Sequence, residues 1–116
     1  MSEHSEQCAL FEWAAIKSHV IPELGYLFAI PNGGFRHKAT AGKLKAEGLK
    51  AGIPDISLPI ARGDYIGFWV EMKFGKNKLT KHQKRWVNFL REHGHYVAIC
   101  WSMEEACDEI LRYLAL

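Results

Sequence analysis

Gly52-Ile53-Pro54-Asp55-Ile56-Ser57-Leu58-Pro59-Ile60, a turn-like Ala61-Arg62-Gly63-Asp64, and then Ile66-Gly67-Phe68-Trp69-Val70-Glu71-Met72-Lys73 form the stretch on which the fold turns. Two short β-rich runs split by a Gly/Asp turn read as a hairpin. Side chains alternate faces along a strand, so Glu71 and Lys73 project together, roughly 7 Å apart at Cα, and Met72 points the other way. Paired antiparallel, the hairpin sets Asp55, at the start of one strand, beside Glu71, at the end of the other. Two carboxylates and one lysine then share a pocket.

That set suits Mg²⁺ or Mn²⁺, hard cations that take a few carboxylates and keep several waters. Such a metal lowers the pKa of a bound water and offsets charge building on a phosphoryl oxygen. A lysine beside it can orient or deprotonate the attacking water. Each half has a plainer alternative. Glu-x-Lys alone reads as a surface pair on a hairpin, and Asp after Gly-x-Pro as turn chemistry. Both halves at hairpin spacing point to a metal-assisted site.

With 116 residues, 48% hydrophobic and 24% charged, the chain is expected to form one globular domain over 1–116. No apolar run approaches the length of a membrane span, and the start does not read as a signal peptide. Cys8, Cys100 and Cys107 fall in apolar periodic segments without metal-ligand spacing, so buried free thiols in a reducing cytoplasm are expected. The net charge is only +2, but it is unevenly spread. From Lys73 to Arg85 there are six Lys/Arg and no acid, and Arg36 to Lys50 holds five Lys/Arg against Glu47. Four acids crowd into Glu104–Glu109. One basic face suited to phosphate backbones is expected, with solvated charge as the alternative.

The first helix is expected from about Glu3 to His19, with Leu10, Trp13, Ile16 and Val20 as its inward stripe. Glu6 lies on that side, either reaching a metal site or favoured there by the macrodipole, and Glu3 is its weaker rival. Pro22 and Gly25 break the helix, and Tyr26-Leu27-Phe28-Ala29-Ile30 reads as a buried strand. In Pro31-Asn32-Gly33-Gly34 and the following Arg36 and Lys38, the glycines let a phosphate approach and Asn32 or Arg36 can donate; a simple turn is the alternative. A short helix with Thr40 as N-cap and Gly48 as stop carries Lys43 and Lys45. Lys76 and Lys78 sit in a basic loop. Thr80-Lys81-His82-Gln83 fits a capping box that opens a helix closing at Gly94. Tyr96–Trp101 is a further buried strand, and Ser102-Met103-Glu104-Glu105 opens a last amphipathic helix. The order gives an α/β fold, a central mixed sheet flanked by helices.

Pro54-Asp55 with Glu71-Met72-Lys73 resembles the PD-(D/E)xK nuclease signature. Adding Gly52-Ile53, Gln83 and Pro31-Asn32-Gly33-Gly34, the chain resembles the VRR-NUC branch of that superfamily, from about Glu6 to the final helix. The resemblance implies a restriction-endonuclease-like core and Mg²⁺- or Mn²⁺-dependent endonucleolytic hydrolysis of DNA phosphodiesters. It further implies a preference for branched DNA such as four-way junctions, and a homodimer. Asp55, Glu71 and the Met72 backbone carbonyl are the expected ligands, with Glu6 as a further one. Lys73 is expected to position the water. Gln83 would support it, against the alternative that Gln83 only caps its helix. Asn32, Arg36, Lys38, Lys43, Lys45, Lys76 and Lys78 are the expected DNA contacts. Two other functions fit the same residues: a basic module that binds DNA without cutting it, and a restriction-type nuclease that reads a sequence.

Overall fold

A computed structural model describes residues 2–31 and 38–116. Helix α1 (Glu3–Lys17) opens on a reciprocal cap between Ser2 and Ser5, which satisfies two of the backbone N–H groups that a helix start leaves over. A 3-10 helix follows at Pro22–Tyr26, then strand β1 (Phe28–Ala29), helix α2 (Lys38–Ala46), strand β2 (Ile56–Leu58) and strand β3 (Gly67–Met72). Helix α3 (Lys81–Glu92), strand β4 (His95–Cys100) and helix α4 (Met103–Leu114) complete the order.

The sheet runs β1-β2-β3-β4. The β1/β2 and β2/β3 pairs are antiparallel and β3/β4 is parallel, so the sheet is mixed as expected. Ile56 faces Val70 and Leu58 faces Phe68. The hairpin therefore closes in the register that carries Asp55 toward Glu71. Alternation sorts the strands onto two faces. Ile56, Leu58, Phe68, Val70, Met72, Ala98 and Cys100 join Leu10 and Ala14 of α1 and Ala106, Ile110 and Tyr113 of α4 in the main core. Trp69, Val97 and Ile99 point the other way and pack with Val87 and Leu90 of α3. Glu71 and Lys73 alternate onto that second face.

Four local expectations are corrected. Of the expected α1 stripe, Leu10 is buried beside Ala14 one turn on and Trp13 packs partly buried against the core, but Ile16 and Val20 are 70% and 77% exposed. Tyr26–Ile30 is not a buried strand. Only Phe28 and Ala29 pair, as a two-residue edge strand with exposed side chains, and Leu27 alone of the run reaches the core. Helix α2 starts at Lys38, so Thr40 lies within its first turn instead of capping it. Cys8 is exposed on α1, with its Sγ 3.5 Å from His4 Nε2, whereas Cys100 and Cys107 are buried free thiols.

Candidate active site

The site is assembled where the N-terminal end of β2, the C-terminal end of β3 and the first turn of α3 meet. Asp55 Oδ2 accepts a hydrogen bond from the Met72 backbone N–H at 2.8 Å, which fixes the carboxylate against the strand that bears Glu71. The approach of this loop to α3 depends on Gly52. Its φ is +92°, and a Cβ there would lie 2.6 Å from the His82 carbonyl carbon, so a side chain is excluded twice over. Glycine at this point of Gly-x-Pro-Asp thus brings Asp55 to the start of α3.

Glu71 is 1% exposed. Its Oε1 is a buried oxygen with no hydrogen-bond partner, and an orphaned acceptor of that kind is costly in a native interior. Burial is the main cause that pushes its carboxyl up to about 10. A hydrogen bond with Asp55 and the negative charges of Asp55 and Glu3 add to the rise, and Lys73 opposes it. An acid so destabilised in its charged form needs positive charge beside it.

Lys73 is 8% exposed. Its backbone N–H donates to Cys100 O at 2.8 Å, continuing the β3/β4 pairing, and its Nζ donates to Gln83 Oε1 at 3.1 Å. The same Gln83 oxygen accepts the Thr80 N–H at 2.8 Å, and the Thr80 hydroxyl accepts the Gln83 N–H at 3.2 Å. The capping role and the lysine-holding role were alternatives in sequence. In the fold one amide oxygen, with two lone pairs, performs both. The helix start and the lysine are therefore locked to each other.

The two acids at the head of α1 divide. Glu6 Oε2 accepts the Met103 N–H at 3.1 Å, so its carboxylate serves the N-terminus of α4 together with Ser102. Glu3, seven residues before Leu10 and so on the same helical face, is the α1 acid whose charge acts on Glu71. That heptad spacing to the first fully buried residue of α1 is the signal in the sequence for Glu3, there the weaker rival of Glu6.

Lys43, Lys45, Lys76 and Lys78 are all exposed. The basic loop that carries the last two is tied down where the Trp101 indole N–H donates to Asn77 O at 2.9 Å. Asn32 and Arg36 lie outside the described residues, as does the side chain of Lys38. Among the described residues the ion pairs are Arg62–Glu23 and Arg112–Glu109, and neither uses a cation of the 73–85 stretch. That positive charge stays available to an outside partner.

Among the described residues no three His, Cys, Asp or Glu side chains gather into a ligand group. Asp55 and Glu71 supply a pair of hard oxygens, and a pair is what Mg²⁺ commonly takes from protein, with water in the remaining positions. The Glu71 Oε1 has no hydrogen-bond partner, and Lys73 offsets the rise of its carboxyl only in part, so further positive charge would be accommodated there. The residues fit the ion.

A mixed sheet with helices on both faces, and a carboxylate pair and lysine gathered at the strand ends, define an α/β domain with a restriction-endonuclease-like core. The family model of the VRR-NUC domain matches residues 6–104, and the chain belongs to that family of nuclease-type domains. The fold is also similar to a solved structure described as a VRR_NUC domain protein, at a TM-score of 0.84 and 28% identity, covering 100% of this chain and 90% of that one. No curated protein matches the chain.

Proposed function

We propose that the chain is a divalent-cation-dependent DNA endonuclease that acts on branched DNA such as four-way junctions. The observation that carries this reading is buried Glu71 paired with half-buried Asp55, set beside a lysine that is held by Gln83 and not neutralised by an ion pair. Asp55, Glu71 and the Met72 carbonyl would hold Mg²⁺ or Mn²⁺, which supplies Lewis acidity and offsets charge on the scissile phosphate. The protein's own groups do the rest. Asp55 spends one oxygen on the Met72 N–H and leaves the other for the site. Lys73 orients the attacking water and balances the charge of the pair. Lys43, Lys45, Lys76 and Lys78 engage backbone phosphates, the contacts that position a nucleic acid without reading its sequence. No covalent enzyme intermediate is needed. Incubating linear duplex, flap and four-way junction DNA with and without Mg²⁺ or Mn²⁺ tests the proposal. Metal-dependent cutting with preference for the junction is expected; binding without cutting under every condition would leave the DNA-binding module.

Glu3 and not Glu6 is proposed as the further acid that influences the site, through its charge and not as part of a gathered ligand set, because Glu3 adds the smallest share to the Glu71 rise while Glu6 is engaged by the Met103 N–H. Glu3→Gln should therefore raise the metal concentration needed for half-maximal cleavage about tenfold and leave thermal stability close to wild type. Glu6→Gln should cost about 1 kcal/mol through the α4 cap and leave the metal requirement unchanged. Metal titrations of cleavage and thermal melts of the two variants check the assignment. The reverse pattern would return the ligand role to Glu6.

The working species is proposed to be a homodimer. One site hydrolyses one phosphodiester at a time, and a two-fold pair of sites matches the symmetry of a duplex or junction. A groove of about 420 Å³ lined by Pro22, Glu23, Tyr26, Pro59 and Ile60, together with exposed Ile16 and Val20 in the segment just before it in the chain, supports an interface there. Light scattering should give about twice the 13.2 kDa chain mass. Val20→Asp with Tyr26→Asp should return it to the monomer value. A wild-type monomer that still makes paired junction cuts overturns the dimer.

A further inference from the structure

Beyond the site, α3 carries a row of aromatic rings that the proposed chemistry does not require. Trp86 and Phe89 meet edge to face with centroids 6.1 Å apart, and Phe89 lies 4.4 Å from the His93 imidazole at an interplanar angle of 34°. Phe89 is 50% exposed, whereas Trp86 is half-buried against the Val87/Leu90 cluster, which anchors the row. His82, Trp86, Phe89 and His93 recur every three or four residues, so they form one stripe along the helix. Exposed Lys81, Lys84 and Arg85 flank it, and the only acid on α3 is Glu92 in the last turn. The row begins at the turn that holds Gln83 to Lys73, and Phe89 lies about 9 Å along the axis from Gln83.

We propose that this face of α3 is a stacking platform for unpaired bases that lead into or out of the site, so that the ligand is single-stranded DNA. Large flat rings presented among uncompensated cations match a polyanion with exposed π faces. A duplex keeps its base faces stacked inside and offers the rings nothing. An unpaired segment at a flap or branch offers both the phosphate and the base. The inference rests on the nuclease reading in taking DNA as the ligand, and it adds to that reading a strand-state preference and the side chains that set it.

Binding in EDTA isolates the platform from cleavage. Fluorescence anisotropy of a labelled twelve-residue oligothymidylate, and of a labelled duplex of equal length, is measured with wild-type protein, Phe89→Ala, Phe89→Leu and Phe89→Trp. Phe89 is half in solvent, so none of these variants is expected to disturb folding, and circular dichroism checks that. Phe89→Ala should weaken the oligothymidylate at least tenfold and the duplex less than twofold, because a base–aromatic stack is lost. Phe89→Trp should restore binding, and Phe89→Leu, apolar but without a π face, should not. Equal affinity of Phe89→Ala and wild type for the oligothymidylate overturns the platform, as does full rescue by leucine. It is likewise overturned if light scattering shows that this face joins two copies of the chain and that Phe89→Ala separates them. Phe89-dependent binding by a protein that cuts nothing in Mg²⁺ supports the platform and refutes the nuclease reading alone. Cutting by a protein whose strand binding ignores Phe89 does the opposite.

Discussion

Lys73→Ala is expected to reduce cleavage by about 10²–10⁴-fold, the range for losing a positioned group that acts on the reacting proton or water. The ammonium is fixed by Gln83 Oε1 at 3.1 Å and almost fully withdrawn from solvent, a position that a mobile surface cation would not reproduce. Lys73→Arg should not rescue, because a planar guanidinium is larger and points its donors differently from an ammonium confined to this space. The fold should survive, since the Lys73 N–H still donates to Cys100 O. Affinity for DNA should fall less than about threefold, as this is one cation among many that neutralise phosphate. Single-turnover cleavage with saturating Mg²⁺, beside binding in EDTA, separates these quantities. Wild-type cutting by Lys73→Ala would remove the lysine from the mechanism.

The hairpin, the capping boxes and the βαβ passage through α3 were legible in the chain because each is a local pattern with a local cause. Alternating apolar residues, Gly-Asp at the turn, and Thr or Ser three residues before Gln or Glu all act within a few positions. The second box is only half formed: Ser102 accepts from the Glu105 N–H, but the Glu105 carboxylate turns to the Trp101 N–H. The misread elements depend on what lies across from them. Ile16 and Val20 continue a helical stripe in sequence, yet the core takes only Leu10, Trp13 and Ala14 of that face, and α1 ends at Lys17, before Val20. Phe28 and Ala29 look like an interior strand, but among the described residues β1 is the edge of the sheet and its side chains are exposed. At the site, the Asp55/Glu71/Lys73 set follows from strand alternation and register. The division of labour between Glu3 and Glu6 does not, because it is decided by where the start of α4 sits, 97 residues from Glu6 in the chain.

Glu71→Gln is expected to stabilise the metal-free protein while abolishing its response to metal. The Glu71 carboxyl is raised from its ordinary 4.5 to about 10 in the fold, so at neutral pH the folded chain holds a proton that the unfolded chain releases. The sign follows directly. Below about 4.5 both states are protonated and the fold carries no penalty; above it the unfolded state gains by ionising, and stability falls with rising pH until about 10. The slope is at most about 1.4 kcal/mol per pH unit, so by pH 7.5 the wild type has lost about 2–4 kcal/mol that glutamine, which cannot ionise, retains. Urea unfolding in EDTA should therefore give similar stabilities at pH 5 and an advantage to Glu71→Gln that widens toward pH 8. Mg²⁺ or Mn²⁺ reverses the order. Binding needs the carboxylate, so it must expel the proton, and calorimetry in buffers of differing ionisation enthalpy should show close to one proton released per ion bound by the wild type. The wild type should gain stability with metal by mass action, and Glu71→Gln should gain none. Equal pH profiles for the two proteins in EDTA would show that Glu71 is ionised in the metal-free fold, and that the partnerless oxygen is satisfied in some other way.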